Sequence, residues 1–269
     1  MSQKSVREYD GKRMLFEYVE KQSKSNNEDL KKLISKSISI QHNLVAEYIS
    51  GKSSEESLQK DFPFLKEEKL VAKPDQLVKR RGKHGLVAIN KTLKEALEWI
   101  KSKEKTDIEI EGLTGQFDHF ILEPMTPHED KDEFYVNVQS FRQGDQIMFY
   151  EQGGVDIGDV DLKAKTFLVE TGHTPTEQEI IEKLLENVPK DQQETVAAFL
   201  IVLWQFYLDY NMGYVEINPF VVVNKSVRVL DMAAKVDETA HFESGDCWGE
   251  LLFPAPFGKK LLPEEEYIR

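Results

Sequence analysis

Residues Tyr214–Asp231, YVEINPFVVVNKSVRVLD, hold two β-rich runs, Tyr214–Val223 and Val227–Leu230, around the polar triplet Asn224-Lys225-Ser226. β-Branched and aromatic residues on both sides of turn-prone residues read as an antiparallel hairpin. Alternation places Tyr214, Glu216 and Asn218 on one strand face and Val215 and Ile217 on the other. The returning run ends at Asp231, which antiparallel pairing brings to Asn218. Two neighbouring oxygen donors, with phosphate oxygens completing the shell, suit Mg²⁺. A hairpin with polar ends is the plain alternative. Upstream, Val196–Leu208, VAAFLIVLWQFYL, is flanked by Glu194 and Asp209. It is shorter than the roughly 20 residues a membrane helix needs, so it reads as a buried helix.

Working outward, Thr92 with Glu95 and Thr176 with Glu179 form capping boxes, opening helices over Thr92–Lys101 and Thr176–Glu186. Gly11–Lys21 carries Met14, Leu15, Tyr18 and Val19 at helical spacing, and Ser53–Leu58 suggests a short helix. Ile38–Ile49, Leu70–Lys73 and Phe120–Leu122 read as short strands, and Leu86–Ile89 is a further apolar run. Phe134–Val138 alternates, and Gly144-Asp145 signals a turn into a return strand, Ile147–Tyr150. Helices mixed with antiparallel pairs, and no regular βαβ repeat, give an α+β class.

The chain has 269 residues, enough to bury a core, with 40% hydrophobic and 31% charged residues and a net charge of −13. That balance argues against non-specific nucleic-acid or anionic-membrane binding. The single cysteine, Cys247, excludes an internal disulfide and a multi-cysteine zinc site, and fits a cytoplasmic, reducing compartment. MSQKSVREYDGKRM has no apolar run of the signal-peptide kind.

Against this acidic background, Val71–Gly85, VAKPDQLVKRRGKHG, carries Lys73, Lys79, Arg80, Arg81 and Lys83 with Gly82 and Gly85. Lys offers phosphate a point charge, Arg a bidentate fork, and glycine lets backbone N–H groups approach. The run reads either as an anion-binding loop or as a solvated basic loop; it is not a Walker A sequence. In Ile121–Val138, ILEPMTPHEDKDEFYVNV, Pro124 and Pro127 hold the segment ahead of Glu133 extended. An extended segment can offer backbone groups to a planar ring; an ordinary proline-rich loop is the alternative. Glu151–Asp161, EQGGVDIGDVD, is an acidic glycine-rich run that suits a metal, a partner or a plain turn. None of His42, His84, His119, His128, His173 and His241 sits at metal-hydrolase spacing.

VAKPDQLVKRRGKHGLV, ILEPMTPHEDKDEFYV, GGVDIGDVD, EINPFVVV and VLDMAAKVD, in this order, resemble the amino-terminal ATP-grasp region of ATP-citrate lyase. The likeness runs from about Tyr9 through the tail, WGELLFPAPFGKKLLPEEEYI. EINP and GGVD are also similar to succinyl-CoA synthetase β subunits, whereas KPDQLVKRRGK and PAPFG favour the lyase.

The resemblance implies an ATP-grasp fold of two subdomains gripping the nucleotide, a smaller lobe over 26–112, a larger one over 113–269, and an N-terminal helix within 1–25 on the larger. It implies that Lys73, Arg81 and Gly82, with Arg80 beside them, meet the nucleotide phosphates. Pro124 and Thr126 correspond to the adenine linker, Glu133 to the ribose acid, and Asn218 and Asp231 to the Mg²⁺ ligands. Glu216 corresponds to an acid facing the catalytic histidine. The implied cofactors are ATP and Mg²⁺. None of the six histidines matches the phosphorylated one, so that residue and the citrate and CoA sites are expected on a partner chain or domain, in a hetero-oligomer. A β-type chain of a succinate- or malate-CoA ligase and a non-catalytic nucleotide-binding chain are the competing expectations.

Overall fold

The structure, a computed structural model, describes residues 2–39, 45–78, 81–154, 163–259 and 264. The chain begins with β1 (Gln3–Val6), α1 (Glu8–Ser23) and α2 (Glu28–Ser37). Next come β2 (Ala46–Ile49), α3 (Glu55–Asp61), β3 (Leu70–Pro74), β4 (Ala88–Lys91) and α4 (Leu93–Lys103). β5 (Ile108–Ile110), β6 (Leu113–Gly115), β7 (His119–Pro124), β8 (Phe134–Phe141), β9 (Gly144–Tyr150) and β10 (Lys165–Glu170) follow. α5 (Glu177–Leu184), α6 (Lys190–Asp209), β11 (Met212–Val223), β12 (Ser226–Val229), β13 (Met232–Asp237) and α7 (His241–Trp248) complete the order.

Two compact units result, Met1–His42 with Thr126–Leu251, and Asn43–Met125 with Leu252–Arg269. In the first, an antiparallel sheet runs β1-β13-β11-β8-β9-β10, with β12 also on β11. The apolar run within α6 is buried on nearly every side, and Phe199 meets Phe220 of β11 with ring centroids 5.2 Å apart. α1 packs on β13, where a Cβ on Gly11 would make an ordinary van der Waals contact, 3.5 Å from Met232 Sδ. Tyr18 donates to Asp209 at 2.8 Å; burial first, then the Asp209 charge, pushes the Tyr18 hydroxyl pKa up. Turn residues Asn224 and Lys225 both take positive φ, 52° and 58°, the pairing that matches strand twist in a two-residue hairpin.

The second unit has an antiparallel sheet ordered β2-β7-β3-β4. Leu70, Ala72, Phe120 and Leu122 pack there with Leu97 and Ile100 of α4. Thr92 and Glu95 cap α4 reciprocally, as Thr176 and Glu179 cap α5.

The structure departs from the expected lobe boundaries of 26–112 and 113–269. β7 lies beyond residue 112, yet it pairs with both β2 and β3 and so belongs to the smaller sheet. Phe257 of the tail stacks on Phe117, centroids 4.9 Å apart, which ties the tail to the same unit. α2 packs instead on α6. The turn expected at Gly144-Asp145 falls two residues earlier, because Gly144 already pairs with Phe141. A Cβ on Gly144 would lie 2.1 Å from the Val169 carbonyl oxygen, so β10's close approach requires the glycine. Of the strand expected over Ile38–Ile49, Ile38 instead caps α2, residues 40–44 lie outside the described residues, and the observed strand is Ala46–Ile49. The apolar run Leu86–Ile89 becomes strand from Ala88, because Leu86 N–H donates to the Arg81 carbonyl in the preceding turn.

Candidate functional site

The hairpin brings Asn218 and Asp231 together through the backbone, with Asn218 N–H donating to the Asp231 carbonyl at 3.0 Å. The Asn218 side-chain oxygen accepts from Gly154 N–H at 2.8 Å. Gly153 N–H donates to the Glu133 carbonyl at 2.6 Å. The GGVD glycines thus join the metal-type residue to the candidate ribose acid. Asp156, Asp159 and Asp161 of that run lie outside the described residues.

Glu133 precedes β8, and its side chain is 15% exposed. Burial pushes its carboxyl pKa up, against the lowering pull of a hydrogen bond from His128. His128 Nε2 lies 3.1 Å from Glu133 Oε1, and its Nδ1 lies 2.7 Å from the Thr126 carbonyl oxygen. Gly154 sits so close to the other carboxylate oxygen that a Cβ there would be 2.2 Å from it. Thr126, His128, Glu133, Gly153, Gly154, Asn218 and Asp231 therefore form one connected cluster in the first unit.

Glu216 lies on the same strand as Asn218, between Asn137 of β8 and Ala233 of β13. The Tyr214 hydroxyl donates to it, which sets the direction of its carboxylate. Lys12 of α1 is fully buried, with Nζ 2.7 Å from Glu8 Oε1 and donating to the Leu230 carbonyl at 3.0 Å. The N-terminal helix thereby pins the residue directly before Asp231.

In the second unit, Lys73 on β3 is buried with Nζ 3.1 Å from Glu123 Oε2 on β7. Arg81 is buried too, and its guanidinium donates to the Pro74 carbonyl at 2.7 Å, closing the loop after β3 onto the strand end. Gly82 follows in the Arg81–His84 turn, while Lys79 and Arg80 lie outside the described residues. Pro124 is extended, paired with Leu70, and Met125 N–H is already engaged by the Lys69 carbonyl.

In the second unit the two cationic side chains are groups of the kind that meet an anion, and in the first the oxygen-rich cluster on a glycine turn is of the kind that meets a cation or a hydroxyl donor. Among the described residues no three His, Cys, Asp or Glu side chains gather as a metal cage. The donor set fits Mg²⁺, which is usually held by one or two protein oxygens plus phosphates and water. Sequence reading missed His128 and Lys12. His128 has no metal-type spacing, and Lys12 lies over 200 residues from the hairpin it braces; neither carries a local signal.

Residues 2–248 match the family model of the ATP-citrate synthase ATP-grasp domain, which makes this an ATP-grasp chain. It belongs to the ATP-citrate synthase ATP-grasp family. It is 38% identical over 268 residues to the ATP-citrate synthase of Bos taurus, covering all of this chain and 23% of that protein. It is 37% identical over 314 residues to the probable ATP-citrate synthase subunit 2 of Schizosaccharomyces pombe, covering all of this chain and 64% of that protein. The solved ATP citrate lyase of Methanothrix soehngenii, in complex with citrate and coenzyme A, superposes with a TM-score of 0.81 at 32% identity. That match covers 99% of this chain and 59% of the archaeal one. The chain thus spans only part of each relative's length. No helix among the described residues is long and apolar enough to cross a membrane.

Proposed function

We propose that the chain binds ATP with Mg²⁺ and serves as the nucleotide-handling part of an ATP-citrate lyase. In this reading ATP phosphorylates a histidine on a partner chain or domain, and citrate and CoA become acetyl-CoA and oxaloacetate. The observation that carries it is the connected cluster Thr126–His128–Glu133–Gly154–Asn218 beside Asp231 in a chain of this family.

Lys73, Arg81 and Gly82 bind the phosphates, with Arg80 beside them. Pro124 and Thr126 flank the adenine, and Glu133 takes the ribose. Asn218 and Asp231 would hold Mg²⁺, which when bound neutralises phosphate charge. Phosphoryl transfer needs mainly positioning and charge neutralisation, so this chain requires no nucleophile of its own. Glu216, aimed by Tyr214, orients the incoming neutral imidazole. The partner is a chain or domain carrying the histidine, citrate and CoA sites, and the location is cytoplasmic. The test is ADP release on reconstitution with the partner: dependence on citrate supports the lyase reading, and dependence on succinate or malate replaces it.

Arg81→Ala should weaken ATP binding about tenfold or more, the worth of a charge-assisted hydrogen bond of about 1.5–3 kcal/mol. Arg228→Ala should leave affinity unchanged, since Arg228 is engaged with Ser39 and touches none of the clustered residues named above. Calorimetry giving the two variants equal affinities would refute the phosphate assignment.

Asp231→Asn keeps size and removes a charge. ATP affinity in EDTA should change little, while the extra affinity conferred by Mg²⁺ falls. Titrations with and without Mg²⁺ on the folded variant decide this, and an undiminished enhancement ends the metal assignment.

A further inference from the structure

One imidazole ties the linker to the acid. His128 reaches the Thr126 carbonyl with Nδ1 at 2.7 Å and Glu133 Oε1 with Nε2 at 3.1 Å. Pro127 restricts the backbone on both sides of this bridge, favouring an extended Thr126. On the far side of the carboxylate, the Gly154 backbone leaves no space for even a Cβ. Glu133 is therefore held from two directions, one oxygen bonded and the other against the glycine, and its strand start is fixed by Gly153 N–H.

We propose that His128 is a positioning residue that sets the ribose selectivity of the nucleotide site. The inference rests on the reading above, in which Glu133 meets the ribose. A carboxylate free to rotate would lose conformational freedom on binding. It would also turn to water whenever a hydroxyl was missing. A carboxylate locked by His128 does neither. An analogue lacking the hydroxyl then leaves a held, mostly buried acceptor without its donor, which is how a polar site rejects such analogues. The geometry also explains why a histidine suits this place. Glutamine can donate to Glu133, but its single amide does not reproduce the two opposed ring nitrogens that span Thr126 and Glu133.

The test is calorimetric titration of the whole chain with Mg²⁺ and ATP, 2′-deoxy-ATP or 3′-deoxy-ATP, for the unaltered protein, His128→Phe and His128→Gln. The unaltered chain should prefer ATP over at least one deoxy analogue by about tenfold or more. In His128→Phe that ratio should fall at least about threefold, with ATP affinity lowered more than analogue affinity. His128→Gln should keep an intermediate ratio, and it carries the test if His128→Phe does not fold. A merely structural His128 would lower the melting temperature and leave the ratio unchanged, which overturns the proposal. Equal binding of ATP and both analogues by the unaltered chain overturns it as well. No ATP binding by the unaltered chain is a separate outcome that removes the nucleotide reading itself.

Discussion

Gly154→Ala is expected to weaken Mg²⁺·ATP binding about ten- to a hundredfold while the chain stays folded. Gly154 has φ +99°, and the added methyl would stand 2.2 Å from Glu133 Oε2. That oxygen belongs to a side chain, so the clash is relieved by forcing the carboxylate off its His128 hydrogen bond rather than by moving backbone. The consequence falls on the ligand: a displaced Glu133 forfeits hydrogen bonds worth about 1.5–3 kcal/mol to a charged group, about ten- to a hundredfold in affinity. The Gly154 N–H bond to Asn218 is disturbed in the same step. Gly172→Ala is the control. Gly172 also has positive φ, +86°, but nothing lies within 4 Å of its would-be Cβ. It carries the backbone strain without the clash, and should lower the melting temperature while leaving ATP affinity alone. Equal affinity losses in the two variants would trace the effect to backbone strain and remove Gly154 from the site.

Lys12→Met should destabilise the fold by about 3–5 kcal/mol, the usual cost of removing one member of a buried ion pair. Lys12 is fully buried, faces the buried Glu8 carboxylate at 2.7 Å and donates to the Leu230 carbonyl. Methionine fills the space but supplies neither charge nor donor. For a chain of this size each kcal/mol shifts the melting midpoint by about 2–4 °C, so a drop of roughly 10 °C is expected. Lys12→Met with Glu8→Leu should recover much of that, because replacing a whole buried pair with apolar groups is often near neutral. Urea or thermal unfolding of the single and double variants measures both. A single variant as stable as the unaltered chain would mean that the pair holds nothing in place.

Much of the local structure was legible. The boxes Thr92–Glu95 and Thr176–Glu179 formed as read, because a cap is decided within four residues. The run Val196–Leu208 became a buried helix, and the β-rich runs of the hairpin formed around Asn224-Lys225, where asparagine tolerates the left-handed backbone. Asn218 and Asp231 were paired correctly because strand alternation and a short turn leave little choice of register. Gly144-Asp145 misled because a glycine demanded by a neighbouring strand carries the same local signal as a glycine demanded by a turn.

Other features needed the folded chain. β7 and the tail join the second unit through contacts with residues far along the chain, such as Phe257 on Phe117. His128, Glu133, Gly154 and Asn218 become one cluster only when β8 lies beside β11 and the glycine turn folds back on both. Lys12 acquires its meaning from a carbonyl 218 residues away. Amino-acid types and short spacings set caps, turns, burial and strand faces, because those depend on backbone preferences over a few residues. Which side chains meet across the sheet, and which charges end up buried against each other, depends on long-range packing, and only the tertiary structure decided it.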